Sequence, residues 1–453
     1  MVGIVSKVGI NEREWDVSAD TSTTIRLSDA AVRPLRTLDP AAPLDDLQWL
    51  DEVVGSARVV AIGESAHFNR ESYLVRHRVL RYLVERHGFG ALGWESGFVE
   101  GWRVDDWLHG ASANLDDLLA NAISSMMGLW TEMRDLLTWL HEYNRAADRR
   151  VGFYGIDLSG SNVSLLPGLD DVIGYFAAAD PEFEIDPGLR ETAAIFAADS
   201  ALSVVPAITA YLELGQDRRD ALSAGLAELV ARLHGRRLEY LARTTVDEYG
   251  RAVRALACTM AIDMIGRVTA QGRRGDALYF RDPAIADNVE WLLNRTDRIV
   301  LAAHNGHVMR WPLSAFPGMP PSDPMGLHLA DRLGDDYRVI GMTARAGQTL
   351  NAGAEFYEGK IFTELLPPEP GCLDALMAAS HDGPFAVDLR RLSEADTATV
   401  RAVTTQRFGN ISGAVNPLDA YDAVIHLPEV TPATPDLAAA AAGPEEIRKM
   451  FGQ

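Results

Sequence analysis

Short apolar runs that stop at a glycine or an acid alternate with longer amphipathic stretches along this chain, and that alternation predicts most of its architecture. Ala57–Gly63 (ARVVAIG) reads as a buried strand. From Glu71 to Arg86 the apolar positions Leu74, Val75, Val79, Leu80, Leu83 and Val84 gather on one helical face, and His87-Gly88 ends the helix, glycine being the common stop. Phe89–Trp94 predicts a second strand, Val99–Leu108 and Met127–Asn144 two helices, and Val151–Ile156 a third strand ending at Asp157. This β-α-β-α-α-β order implies a mostly parallel sheet covered by helices, an α/β fold. From 162 to 275 helical patterns dominate, as in Asp217–Arg243 and Glu248–Gly272, and predict an inserted helical bundle forming a cleft wall or lid. The α/β pattern then returns. Asp282–Asn294 is helical, Arg298–Ala303 a strand, Met325–Leu333 a helix, Arg338–Met342 a strand and Leu373–Ala379 a helix. Phe385–Leu389 and Ala423–Leu427 are the last strands.

The expected organisation is therefore a leader over 1–45, a discontinuous α/β core over 46–161 and 276–430, the helical insertion between them, and a Pro/Ala-rich tail over 431–453 with a terminal helix at Pro444–Met450. A chain of 453 residues with 47% apolar and 23% charged residues is ordinary for a globular protein. The net charge of −22 disfavours nucleic-acid phosphates and anionic membranes and suits a cationic small molecule. Cys258 and Cys372 make no disulfide framework, Met1–Trp15 has no apolar signal core, and no run reaches a membrane span, so a cytoplasmic protein is expected. The oligomeric state is not encoded in any pattern.

Ligands of parallel sheets bind beyond the carboxyl ends of the strands, and the candidate chemistry falls there. Glu64-Ser65-Ala66-His67 places a carboxylate and an imidazole on one strand-to-helix loop, as a hydrolytic dyad requires. A solvated loop pair has the same spelling, so Glu-x-x-His alone is weak. Glu95 follows the second strand and Asp157 the third. His304-Asn305-Gly306-His307 follows the strand Arg298–Ala303, and Gly306 permits a turn that aims both imidazoles into one pocket. Two histidines and a glutamate (His304, His307, Glu95) also spell a divalent-metal set, while a metal-free acid–base site fits equally. No cofactor is called for. Arg76 is long enough to reach back from its helix to the site. Asp282-Pro283, beside Arg281, reads as a helix N-cap with a first-turn proline. His77, His87, His109, His141 and His234 read as surface residues. The chain has no Gly-x-Ser-x-Gly elbow, Walker loop or Gly-x-Gly-x-x-Gly fingerprint.

Taken together, Val59–His67, the helix carrying Arg76, Gly93-Trp94-Glu95-Ser96, Arg281-Asp282 with Asn288, and the strand entering His304–His307 resemble the erythromycin esterase family. Met325-Gly326, Leu333-Gly334 and the strand Asp422–His426 extend the likeness to roughly residues 50–430. The resemblance implies a ChaN/TIKI-like α/β core with a helical wall, and hydrolysis of a macrolide lactone ester. It implies His67 as the base that activates water, Glu64 and Glu95 as its acidic neighbours, and Arg76, His304 and His307 as further active-site residues, with Asp157 and Arg281 toward substrate. Biosynthetic tailoring of another metabolite (cyclisation, elimination or acyl transfer) would use the same site. Metal-dependent hydrolysis and a non-catalytic binding module are the remaining readings.

Overall fold

The protein is described by a computed structural model covering residues 25–314 and 320–453. The expectation for Met1–Trp15 lies outside the described residues. The strands, in chain order, are β1 (Arg33–Pro34), β2 (Val59–Ile62), β3 (Ala91–Gly97), β4 (Gly152–Asp157), β5 (Ile299–Ala302), β6 (Tyr337–Leu350), β7 (Phe362–Glu364), β8 (Phe385–Asp388), β9 (Thr405–Phe408), β10 (Ile411–Ala414) and β11 (Ala423–Val430). Nine of them form one mixed, mostly parallel sheet in the order β1-β8-β11-β6-β2-β5-β3-β4, with β7 added to β6, and β9–β10 form a separate hairpin. β1 pairs antiparallel with β8, so part of the expected leader is a sheet edge. Two-residue β1, three-residue β7 and the hairpin are too short to leave a periodic signal.

Burial explains the central strands. All four residues of β2 and all four of β5 are inaccessible, which requires cover on both faces. The alternation splits them cleanly. Val60, Ile62, Leu92, Trp94, Val300 and Ala302 join the core under the helix Arg70–His87, through Val75, Val79, Leu80 and Leu83. Val59, Ala61, Ala91, Ile299, Leu301 and Ala303 join the opposite core under the helix Leu278–Leu293, through Ile285, Val289 and Leu292. A third core, around Leu169, Leu226, Leu256 and Ile262, belongs to the helical region between residues 166 and 293.

Register positions the site. Ile62 pairs with Ala302, Ala302 with Trp94, and Trp94 with Gly155. Four adjacent parallel strands therefore end nearly level, and Glu64, His304, Glu95 and Asp157 emerge along one sheet edge. The helix Arg70–His87 ends at Gly88, whose φ of 66° is the left-handed conformation glycine tolerates, with its N–H donated to the Leu83 carbonyl.

Two local expectations are corrected. Asp282-Pro283 does not start a helix: a 3₁₀ turn at Arg274–Ala277 runs straight into the helix Leu278–Leu293, with Pro283 inside it. The missing proline N–H would have bonded the Tyr279 carbonyl one turn earlier, so the helix runs through Pro283 with one backbone bond fewer. His77 is buried, its ring 5.3 Å from that of Trp139 between two packed helices. Burial lowers its pKa to about 4.

Candidate active site

Glu64 follows β2 after Gly63, and it is almost inaccessible. Oε1 accepts a hydrogen bond from His67 Nδ1 at 2.7 Å, and Oε2 pairs with Arg76 Nη1 at 2.8 Å. Arg76 is 2% exposed and also donates to the carbonyl of Ala303 at 2.5 Å, with its guanidinium 5.2 Å from the Trp94 ring centroid. It thus braces the ends of β2 and β5 from below and offers no donor to the cleft. Burial opposes the charge on Glu64, but Arg76 and His67 outweigh it and its pKa is lowered. The ionised carboxylate fixes the tautomer of His67, leaving Nε2 toward the cleft.

Phe68 holds the loop in shape. Its φ of 65° is a left-handed conformation uncommon for a phenylalanine, yet its carbonyl accepts from Ala433 N at 2.8 Å and its ring packs 5.1 Å from Trp130. The turn of the β9–β10 hairpin docks on the same loop, Gly409 N donating to the Ser65 carbonyl at 2.7 Å.

A second dyad faces the first. His307 Nδ1 donates to Asp282 Oδ1 at 2.7 Å, and that oxygen also accepts from Met325 N at 2.9 Å. Glu95 lies between the two imidazoles: its Oε1 is 3.7 Å from His67 Nε2 and 3.5 Å from His307 Nε2. Its Oε2 accepts from the His304 backbone N at 2.6 Å. Burial opposes the charge of each member. The neighbouring carboxylates nevertheless raise the pKa of His67 and of His307, and the cations around Glu95 lower its pKa strongly. Arg281 closes the cluster, bonded to Asp157 at 3.0 and 2.6 Å and lying 3.5 Å from Glu95 Oε1.

His304 is built differently. Gly306 N donates to its Nδ1 at 3.1 Å, so Nε2 carries the proton and faces the Ser65 carbonyl at 3.2 Å. Both nitrogens are engaged by backbone, and burial with the nearby imidazoles lowers its pKa to about 4. Among the described residues, no three His, Cys, Asp or Glu side chains are gathered as a metal ion would need. Asn305 locks the turn: its side-chain amide donates to the Met342 carbonyl at 2.7 Å and accepts from Met342 N at 3.1 Å.

The structure thus brings Glu64, His67, Arg76, Glu95, Asp157, Arg281, His304 and His307 to one edge. Sequence reasoning gave Asp282 only a capping role. Its signal was a carboxylate beside Arg281 on the segment that packs under the His304–His307 turn, which only the tertiary fold makes visible. A cleft of about 480 Å³ opens over His67, Glu95, Arg281 and His307, with Leu278, Leu313, Leu350, Phe408 and Ile411 as apolar walls.

The fold and this edge define an α/β protein with paired carboxylate–imidazole groups at the carboxyl ends of its strands. Residues 84–430 match the model of the erythromycin esterase family, and the chain belongs to that family. It is 29% identical over 333 residues to erythromycin esterase type II of Escherichia coli, spanning 70% of this chain and 76% of that protein. Erythromycin esterase type I of Escherichia coli is also 29% identical, over 69% of this chain and 76% of its own length. A mutant of the erythromycin esterase EreC, solved in its open conformation, shares the fold with a TM-score of 0.72 at 24% identity, covering 89% of this chain and 98% of that one.

Proposed function

We propose that the protein hydrolyses a carboxylic ester, and specifically the lactone of a macrolide, with water activated by His67. The observation that carries this reading is the orientation of His67: Nδ1 is anchored on buried, ionised Glu64, and Nε2 is turned to the cleft, 3.7 Å from Glu95 Oε1. Above its raised pKa, His67 is neutral and takes a proton from water at Nε2 while the oxygen attacks the ester carbonyl carbon. The tetrahedral oxyanion accepts a hydrogen bond from protonated His307, whose charge Asp282 and Glu95 favour. The C–O bond to the alcohol then breaks, the alkoxide takes up the proton, and acid and alcohol remain. Arg76 holds Glu64 charged, and His304 holds the Ser65 loop against the turn after β5. The apolar walls suit a large apolar lactone, and the chain's net charge of −22 favours the approach of one carrying a cationic amino sugar.

Mass spectrometry after incubation with a macrolide panel, erythromycin included, tests the proposal. A product heavier by one water is expected with the native protein and absent with His67→Ala. Intact macrolides throughout would remove the macrolide assignment, and near-native turnover by His67→Ala would remove the base.

A further inference from the structure

The helical region contains a cavity of about 280 Å³ that the catalytic cleft does not include. Phe196, Val204, Ile208, Tyr211, Ile262 and Ile265 supply its apolar walls, and Ser161, Asn162 and Thr269 its polar rim. None of its lining residues carries a carboxylate, ammonium, guanidinium or imidazole, which is unusual in a chain of net charge −22. The rings of Phe196 and Tyr211 meet edge to face at 5.0 Å, forming an aromatic corner.

One polar atom at this cavity, Asn162 Oδ1, is buried with no hydrogen-bond partner among the described residues, whereas the Tyr211 hydroxyl lies beside the carboxylate of Asp263, which is outside the lining. Tyr211 is 4% exposed. Buried polar groups are normally satisfied, and an orphan carbonyl oxygen on an apolar cavity leaves an acceptor for something that enters it. Ser161 and Asn162 both sit at positive φ, 51° and 66°. Asn162 is held there through its other amide atom, Nδ2, which donates to Asp157 Oδ2 at 3.2 Å. Asp157 is the partner of Arg281, so the cavity borders the catalytic edge without sharing a lining residue with the cleft.

We propose that this cavity is a second binding site, for a compact uncharged molecule that is mostly apolar and carries one hydroxyl or N–H donor. The aromatic corner receives its ring or alkyl body, and Asn162 Oδ1 accepts its proton donor. Mostly apolar cavities with a few polar groups are the usual small-molecule sites, and at about 280 Å³ this one lies just under their roughly 300–1,000 Å³ range, which calls for a compact ligand. A charged ligand would lose its hydration with no counter-charge in the lining.

Calorimetric titration with 2-naphthol, and with naphthalene as the donor-free control, tests the site. One-site saturable binding of 2-naphthol is expected, with naphthalene roughly fivefold to tenfold weaker, the weight of one net hydrogen bond. Ile208→Trp and, separately, Thr269→Phe fill the cavity and are expected to abolish binding. Asn162→Ala is expected to bring 2-naphthol down to the affinity of naphthalene. Thermal unfolding of each variant shows that it is folded. Absence of saturable binding to the native protein would overturn the proposal. So would binding that survives both filling variants, since the ligand would then occupy the catalytic cleft. The test reads binding alone, so it is independent of whether the protein hydrolyses esters.

Discussion

Replacing Glu64 by glutamine isolates the charge on which the proposed base depends. The side chain keeps its shape, but the ion pair with Arg76 and the charge-assisted bond to His67 are both lost. Removing one partner of a buried pair typically costs about 3–5 kcal/mol. The lower end is expected here, because Arg76 keeps the Ala303 carbonyl and the Trp94 face. For a chain of 453 residues the unfolding entropy, at roughly 2.1 cal/mol/K per residue, converts about 3 kcal/mol into a fall of only about 3 °C in Tm. The variant should therefore be folded at 25 °C, and any loss of activity will be chemical. A glutamine amide donating to Nδ1 places the proton on Nε2, the wrong tautomer for a base. Such a change behind a catalytic histidine costs about 10⁴ in kcat. The pKa of His67 should also fall, since Glu64 is among the groups that raise it. Single-turnover hydrolysis of a cleaved ester from pH 5 to 9 reads both effects. The expected result is a loss of that size with the acidic limb moved to lower pH. Retention of more than a tenth of native kcat, or an unmoved limb, would refute the argument.

Asp282→Asn should slow turnover about 10–100-fold with little change in KM, by loosening His307 and its proton; a pure KM effect would contradict the role given to His307. Gly63→Ala puts a Cβ at 1.9 Å from Asn305 Oδ1, so the Asn305–Met342 pair must break, and a loss of roughly 2–4 kcal/mol should appear as a lower urea midpoint. The pKa values of His67 and His307 are raised in the fold, so their contribution to stability is fully present below 6.5 and is lost as pH rises through the folded values. The urea midpoint of the native protein should therefore fall from pH 6 toward pH 9 more than that of a His67→Gln/His307→Gln variant, and parallel curves would contradict this. His77 behaves oppositely: lowered to about 4, it contributes above 6.5 and is lost on acidification, so His77→Phe should be more stable by about 2 kcal/mol near pH 4.5, measured by urea unfolding.

The sheet was legible where strands are buried on both faces, because Val59–Ile62 and Ile299–Ala302 are continuous apolar runs bounded by Gly63 and by His304. The mostly parallel order followed from the helices between them. The strands without such runs were not legible. β1 contributes two exposed residues, and the β9–β10 hairpin is placed by long-range bonds, among them Gly409 N to the Ser65 carbonyl, Gln406 to the Met342 carbonyl and Arg407 N to Asp374. The site shows the same division. Residues at strand ends could be placed on one edge from the strand pattern alone. Roles set by tertiary partners could not: Asp282 looked like a cap until the His304–His307 turn was seen to rest on it, and Arg76 looked cleft-directed until its guanidinium was found beneath Glu64.

The two dyads come from different halves of the chain. Glu64–His67 follows β2, Asp282–His307 joins the last helix of the helical region to the turn after β5, and β5 reaches the edge by inserting between β2 and β3. Among the described residues, Glu95 is the one carboxylate that the Nε2 atoms of both His67 and His307 face, and it is fixed by the backbone N–H of His304 from the second half. Neither half alone can hold Glu95 ionised between two imidazoles, because its compensating charges lie on both. The elevated imidazole pKa values thus depend on completion of the β2-β5-β3 pairing, and a substitution that loosens β5, such as Gly63→Ala, should lower them together with stability.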